Sequence, residues 1–242
     1  MGYWLPESYK WYGEACEMFD YPGLPFGKQL KELISANNTV LDLGCGIGMA
    51  SLMISPWCER VIALDPDEKA LRHLEENARK LGLNNIEIVC GSWPLEKPLQ
   101  ADVVVALHVH QIGRSAEKLK LLFEEAGKGG FITLHADQEE PFRALREALG
   151  VKPFNESCDN GCYTRGVLEA LGARVTCERI TYDFGQPLGT VEEAIRFIAW
   201  QTGADASREH IIKEHLDSYM TRQDGRYIVP LQRRSCGITF IK

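Results

Sequence analysis

The hydrophobic pattern along the chain alternates between short β-type runs and longer segments with helical spacing. Apolar, β-branched runs predict seven strands, at 39–43, 60–64, 86–90, 102–107, 131–134, about 173–183 and 235–241. Apolar stripes and capping residues predict helices at about 28–36, 47–56, 67–81, 115–126, 139–149, 163–171, 190–202 and 206–221. Three consecutive valines at 103–105 indicate a strand that is buried on both faces. The alternation predicts an α/β fold with a mostly parallel sheet covered by helices on both sides.

The first predicted strand ends in a glycine-rich turn. Gly44, Gly46 and Gly48 follow Asp42 at alternating positions and precede a helical segment. Glycine accepts positive φ and has no Cβ, so the backbone can approach a ligand closely, and the helix start adds unpaired N–H groups. Asp65 ends the second strand, about 20 residues after Gly44, where a carboxylate can accept hydrogen bonds from both hydroxyls of a ribose. Together these residues predict a site for a nucleotide-like cofactor.

The spacing of the glycines distinguishes two cofactor classes. Dinucleotide-binding proteins carry G-x-G-x-x-G, whereas this chain reads Asp42-Leu43-Gly44-Cys45-Gly46-Ile47-Gly48. That variant resembles the first motif of the class I S-adenosylmethionine (SAM) dependent methyltransferases. The resemblance implies a seven-stranded, doubly wound sheet whose last strand is antiparallel. It also implies an N-terminal lid at 1–27 and a methyltransferase domain at 28–242, with a helical insertion at about 187–228.

The resemblance also implies roles for individual residues. Asp42 is expected to reach the methionine ammonium of SAM, the glycine loop to lie against methionine and ribose, and Asp65 to hold the ribose diol. At the adenine position the chain has Ser92 in place of the commoner acid, followed by Trp93, which either stacks on adenine or closes the edge of the core. The expected cofactor-binding residues are Asp42, Gly44, Cys45, Gly46, Gly48, Asp65, Pro66, Ser92, Trp93 and Leu107.

The loop after the fourth strand is where the methyl acceptor lies in this family. It reads Leu107-His108-Val109-His110-Gln111 and lacks the Asn/Asp-Pro-Pro-aromatic motif of enzymes that methylate amino groups of DNA or protein glutamine. His108 and His110 are the candidate catalytic residues, because imidazole acts as a base near neutral pH. The alternatives are a metal-binding pair, or one buried and one solvated histidine without a role. His135, after the fifth strand, is a third candidate at the same edge.

Two aromatic segments are candidate walls of the acceptor site. The first is Trp11 with Tyr12, and the second is Phe197 with Trp200; packing in the core is the alternative for both. Cys158 and Cys162 form a C-x-x-x-C pair without two further ligands at zinc spacing, so no metal site is predicted. The dispersal of the eight cysteines indicates reduced thiols.

The composition narrows the choice of partners. The 242-residue chain has a formal net charge of −7, which argues against nucleic acid as a partner, because nonspecific affinity for phosphates comes from Lys and Arg. A group of four arginines near the C-terminus is expected to be a solvated rim: Arg222, Arg226, Arg233 and Arg234. No secretory leader or membrane span is recognised, so a cytoplasmic protein without a membrane partner is expected.

The function predicted from these features is methyl transfer from SAM to a small-molecule acceptor. Three alternatives remain: a nicotinamide-dependent (NAD) oxidoreductase, a non-catalytic partner subunit with the SAM fold, and an RNA or protein methyltransferase. The glycine spacing argues against the first, and the intact Asp42, glycines and Asp65 argue against the second. The acidic composition argues against the third.

Overall fold

A seven-stranded sheet forms the centre of the molecule in a computed structural model, which describes residues 6–109, 112–136, 142–151 and 161–242. The strands are β1 (Thr39–Leu43), β2 (Arg60–Asp65), β3 (Ile86–Cys90), β4 (Ala101–Leu107), β5 (Ala126–His135), β6 (Arg174–Asp183), β7 (Gln186–Leu188), β8 (Thr221–Gln223), β9 (Arg226–Val229) and β10 (Gln232–Ile241). The helices are α1 (Pro6–Met18), α2 (Gly23–Leu33), α3 (Met49–Ile54), α4 (Glu68–Lys80), α5 (Ala116–Glu125), α6 (Arg143–Ala148), α7 (Gly161–Ala170), α8 (Val191–Thr202) and α9 (Glu209–His215).

The strand order of the main sheet is β3-β2-β1-β4-β5-β10-β6. The pairs β1–β2, β1–β4, β2–β3 and β4–β5 are parallel, whereas β10 runs antiparallel to both of its neighbours, β5 and β6. Strand order reverses between β1 and β4, so the ends of these two strands open a crevice at the carboxyl edge of the sheet. The predicted doubly wound sheet with an antiparallel last strand is confirmed.

Helices cover the sheet on both faces, and the valines of β4 show how. Val104 is fully buried in a cluster with Leu119 of α5 and Leu168 of α7. Val105, which points to the opposite face, is fully buried in a second cluster with Phe26 of α2. The β-branched run therefore has apolar neighbours on both sides, as its sequence predicts.

The predicted limits of two elements were wrong near glycine and proline. The helix expected at 28–36 begins at Gly23, because a helix tolerates Gly and Pro in its first turn, where backbone N–H groups have no partner within the helix. The strand expected at 131–134 begins at Ala126 and includes Gly129 and Gly130. A Cβ on Gly130 would lie 2.5 Å from the carbonyl oxygen of Val104, so close packing of neighbouring strands, rather than a turn, requires these glycines.

The insertion expected at about 187–228 is only partly helical. It contains α8 and α9, but also a small antiparallel sheet in the order β7-β9-β8. The predicted helix at 206–221 is limited to α9 and two flanking 3-10 turns. Asp224 and Gly225 connect β8 to β9 with φ angles of 49° and 78°, the conformation for which Asp-Gly is preferred in two-residue hairpins.

Several predictions fall on residues that the structure does not describe. The helix predicted at 139–149 corresponds to α6, and residues 137–141 lie outside the described part of the chain. His110 and Cys158 also lie outside it. The seven cysteines within it are free thiols, as expected. None of the described helices is both long enough and apolar enough to cross a bilayer.

Candidate active site

The glycine loop joins β1 to α3 at the carboxyl edge of the sheet. The N–H groups of Gly44 and Cys45 donate to the carbonyl of Leu64 at the end of β2, 2.8 and 3.1 Å away, so the loop bends over the neighbouring strand. Gly44 has a φ of 71°, and a Cβ there would lie 2.8 Å from Cγ2 of Val109, after β4. Glycine therefore serves both the loop conformation and the close approach of the β4 loop.

Gly48 serves a different purpose from Gly44. It precedes α3 with a φ of 82°, and a Cβ there would overlap the side chain of Leu74 in α4. This glycine is required by the contact between two helices and lies outside the lining of the cleft. Its expected contact with the cofactor stays a prediction.

Asp42 lies beneath the loop and is almost fully buried, with 2% of its surface exposed. Its Oδ2 accepts a hydrogen bond of 2.6 Å from Oγ of Ser51 in α3. Burial raises the pKa of Asp42 to about 6, although the Ser51 hydrogen bond opposes the rise. The side chain is therefore an anion at neutral pH, held directly below the glycine loop.

Asp65 connects the end of β2 to the loop. Its Oδ2 accepts from the N–H of Gly46 and its Oδ1 accepts from the N–H of Asp67, both at 2.9 Å. Burial raises the pKa of this carboxyl, and the two backbone hydrogen bonds oppose the rise. Each carboxylate oxygen has a second lone pair, so Asp65 can still accept hydrogen bonds from a ligand.

A cleft of about 1280 Å³ opens above these residues at the edge of the sheet. Nine of the expected site residues line it: Gly44, Cys45, Gly46, Asp65, Pro66, Ser92, Trp93, Leu107 and His108. Ligand pockets commonly measure about 300–1,000 Å³, so this cleft has room for a cofactor and an acceptor together.

The region that builds this edge matches a known family. Residues 40–128 match the family model described as a methyltransferase domain. This part of the chain is a methyltransferase domain. The domain comprises β1 to β4 and α5, and therefore contains the glycine loop, Asp65 and the β4 loop.

Similar proteins include curated and structurally solved methyltransferases. A ribosomal protein L11 methyltransferase of Aquifex aeolicus is 32% identical over 143 residues, which are 53% of this chain and 56% of that protein. A probable cobalt-precorrin-6B C(15)-methyltransferase (decarboxylating) of Saccharolobus solfataricus is 34% identical over 112 residues, which are 43% of this chain and 54% of that protein. The chain spans about half the length, or less, of the curated relatives it matches.

The solved structures extend the similarity in fold beyond the matched domain. The crystal structure of a SAM dependent methyltransferase from Aquifex aeolicus superposes with a TM-score of 0.52 and 17% sequence identity. The superposition covers 95% of this chain and 97% of the other. The strands and helices that follow the methyltransferase domain in this chain are therefore part of the same fold.

Trp93 forms part of both the cleft and the core. Its indole Nε1 donates to Oε2 of Glu125 at the end of α5, 2.8 Å away, and its ring packs against the cluster around Val104. Ser92 beside it is exposed and also lines the cleft. The methyltransferase domain thus places an indole at the expected adenine position, with its ring plane fixed by a hydrogen bond.

The opposite end of the cleft contains a cluster of imidazole and hydroxyl groups. His108 has a φ of 56°, and its N–H donates to Oγ1 of Thr133, 2.9 Å away. Its Nε2 lies 3.2 Å from the Tyr182 hydroxyl and 3.4 Å from Oγ of Ser235. The ring of His135 stacks on that of His108 with a centroid distance of 4.4 Å. The sequence pattern identified the two histidines but not Tyr182 and Ser235, which lie on β6 and β10, far from His108 along the chain.

Helix α1 forms one wall of the cleft. The Tyr9 hydroxyl donates to Oδ2 of Asp67, 2.6 Å away, at the start of α4. Trp11 packs against Phe197 and Trp200 of α8, with ring centroids 5.8 and 6.3 Å apart. These aromatic side chains belong to both the core and the cleft lining, so the two interpretations of their role are not exclusive.

The sequence predicted that Arg233 belongs to a solvated rim, and for this residue the prediction was wrong. Arg222, Arg226 and Arg234 are exposed, whereas Arg233 is half-buried and lines the cleft. The reason is the alternation of side chains along β10, which places Arg233 and Ser235 on the face that closes the cleft and Arg234 on the other.

Proposed function

We propose that the protein transfers a methyl group from SAM to a small-molecule acceptor bound in the cleft. The observation that carries the proposal is the contact between Asp65 and the N–H of Gly46, which joins the carboxylate at the end of β2 to the glycine loop at the cleft edge. The methyltransferase domain matched at 40–128 and the shared fold support it. The glycine spacing, G-x-G-x-G rather than the G-x-G-x-x-G of dinucleotide-binding proteins, argues against the oxidoreductase alternative.

The residues at this edge of the sheet fit SAM chemically. The Asp42 carboxylate, anionic at neutral pH and directly below the loop, provides the charge that attracts the methionine ammonium. Asp65 retains lone pairs for the two ribose hydroxyls, and Trp93 offers an indole face to adenine. When bound, SAM supplies a methyl group on a sulfonium, and its transfer breaks the S–C bond as the bond to the acceptor forms.

The chain contributes alignment and, where the acceptor carries a proton, a base. Fixing the acceptor about 3 Å from the methyl carbon lowers the barrier by several kcal/mol through effective concentration. Leu107 ends β4 and His108 follows it, at the place where the acceptor meets the methyl group in this fold. We assign His108 to contact the acceptor, held in place by Thr133, Tyr182 and Ser235.

The role of His108 is tested by replacing it with Asn, which keeps the positive φ that Asn tolerates better than Ala. Turnover is expected to fall by about 10²-fold or more, the lower end for loss of an acid–base group, with SAM affinity nearly unchanged. His210→Asn, on the exposed surface of α9, is the control. Equal turnover of the His108 variant and the wild-type protein would remove His108 from the mechanism.

A protein acceptor is the second candidate, because the chain is similar to ribosomal protein L11 methyltransferases. Similarity to a cobalt-precorrin methyltransferase supports a small molecule equally at the level of sequence. The aromatic side chains of α1 and α8, which line the same cleft as His108, favour the small molecule, because small-molecule pockets are lined mainly by apolar and aromatic side chains.

Methyl-labelled SAM incubated with a cell extract separates the two candidates. The extract is divided by ultrafiltration into metabolites and macromolecules before the reaction, and the protein without extract is the control. We expect label in the metabolite fraction, followed by identification of the product by mass. Label confined to the protein or RNA of the macromolecular fraction would contradict a small-molecule acceptor.

A further inference from the structure

The cleft has all of its described carboxylates at one end, where Lys69 and Arg72 of α4 also line it. Its described carboxylates, Asp65, Asp67 and Glu68, all lie at the end of β2 and the start of α4. At the other end, β6 and β10 contribute Tyr182 and Arg233 to the lining, and no carboxylate among the described residues lines that end. An acceptor that enters there meets a permanent positive charge, because arginine stays protonated in proteins.

Arg233 is held in place by aromatic neighbours rather than by an acid. It stands opposite Tyr182 in the antiparallel register of β10 and β6. Its guanidinium carbon lies 5.1 Å from the ring centroid of Phe184. Within the described residues its buried Nε has no hydrogen-bond partner, and no ion pair involves its guanidinium.

This environment is unfavourable for an arginine without a ligand. A buried donor that is left without a partner costs free energy, and a partly desolvated cation costs more, unless an anion accepts its hydrogen bonds. Burial raises the pKa of Tyr182, while its Ser235 hydrogen bond and the charge of Arg233 oppose the rise, so that charge acts within the His108 cluster. The planar guanidinium fork matches a carboxylate or a phosphate better than any neutral group.

We propose that Arg233 binds a carboxylate or phosphate group of the methyl acceptor, and that the acceptor is an anionic small molecule with an apolar body. The apolar part follows from the aromatic side chains around the guanidinium, chiefly Tyr21 and Phe184. The inference rests on the proposed function, since it assigns the acceptor end of the same cleft. It makes Arg233 a specificity-determining residue that is separate from the cofactor contacts at Asp42 and Asp65.

The test uses three probes that share a phenyl ring: benzoate, phenyl phosphate and uncharged benzamide. Each is titrated calorimetrically into the full-length protein saturated with S-adenosylhomocysteine, whose own binding is measured first. We expect at least one anion to bind about tenfold or more tightly than benzamide, the scale of a hydrogen bond to a charged group. Preference for the carboxylate or for the phosphate identifies which of the two the acceptor carries.

Two variants and a control test whether Arg233 causes the preference for the anionic probes. Arg233→Gln is expected to abolish the preference for the anion, and Arg233→Lys to retain part of it as a point charge. Arg234→Gln, the neighbouring residue on the opposite face of β10, is expected to behave as the wild-type protein does. Thermal unfolding of each variant checks that the fold is intact.

Three results would overturn the assignment while leaving the proposed function intact. They are equal affinity for the three probes, no saturable binding of either anion, and an anion preference that survives in Arg233→Gln. Loss of S-adenosylhomocysteine affinity in that variant, without a change in probe binding, would assign the guanidinium to the cofactor carboxylate instead. Failure of S-adenosylhomocysteine to bind the wild-type protein contradicts the proposed function, and the probes then test Arg233 in the free protein.

Discussion

A buried carboxylate beneath a loop is an unusual component of a fold, and Asp42 is such a residue. Its only hydrogen bond from a described side chain comes from Ser51, and burial raises its pKa from 3.8 to about 6. A group whose pKa is higher in the folded state favours folding at low pH, and that contribution is lost as the pH rises through the folded pKa. The charged form therefore persists at neutral pH at the expense of stability, which is typical of a functional site.

The stability that is lost when Asp42 ionises in the folded protein predicts how the effect of Asp42→Asn depends on pH. Asn keeps the size and can still accept from Ser51, but it does not ionise. Between pH 4 and pH 7 the free energy of unfolding of the variant is expected to rise by up to about 3 kcal/mol relative to that of the wild-type protein. This pH window is set by the two pKa values of Asp42, 3.8 in the unfolded chain and about 6 in the folded protein. Urea unfolding at several pH values measures it. A difference between the two proteins that stays constant with pH would show that Asp42 does not titrate in this window.

Single residues also show which contacts of the site can be predicted from sequence. The spacing from Asp42 to Gly48, together with Asp65, predicts the loop and its carboxylate, because both depend on neighbouring residues in the chain. Tyr182, Ser235 and Arg233 were missed or misassigned, because they reach the cleft only through the pairing of β6 with β10. Alternation along β10 was visible in the sequence, but which face closes the cleft was not.

At the scale of elements, α1 connects the two ends of the cleft. Tyr9 ties it to the start of α4, and the side-chain amide of Gln186 in β7 donates to the carbonyl of Trp11, 2.9 Å away. The N-terminal segment at 1–27 was expected to be a lid, and within it α1 lines the cleft. Its opening and closing remain a prediction.

Replacing Tyr9 with Phe tests whether the contact with Asp67 holds α1 over the cleft. A hydrogen bond to a charged group contributes about 1.5–3 kcal/mol, so hydrogen exchange of the α1 amides is expected to accelerate about tenfold or more. Tyr163→Phe, on the exposed face of α7, is the matched control. S-adenosylhomocysteine is expected to slow exchange in α1 of the wild-type protein, because α1 lines the cleft. Unchanged exchange of α1 in Tyr9→Phe would contradict this role.

The errors at the element scale have physical causes. The small sheet β7-β9-β8 was missed in the insertion that was expected to be helical, since its strands have only three or four residues and carry little periodicity. The Asp224-Gly225 pair was the available sign of the hairpin. Gly129 and Gly130 lay outside the strand predicted at 131–134, whereas the passage of Phe240 and Val104 beside them makes glycine necessary inside a strand.

For the whole molecule, strand order determines where the chemistry lies. The reversal between β1 and β4 brings the glycine loop, Asp65 and the β4 loop to one edge, and β10 closes that edge with Arg233. The class of fold was predictable because five strand–helix repeats and a late single strand are local patterns. The contents of the acceptor end depend on residues far apart in the chain and required the structure.

We propose that the crevice between β1 and β4 binds SAM through the glycine loop and Asp65. Isothermal titration of the wild-type protein with SAM and with NAD tests it most directly. We predict saturable binding of SAM and not of NAD, a loss of about 1–3 kcal/mol of binding free energy in Asp65→Ala, and no change in Glu75→Ala on the exposed face of α4. Preferential binding of NAD, or SAM affinity that is equal in Asp65→Ala and the wild-type protein, would contradict the account.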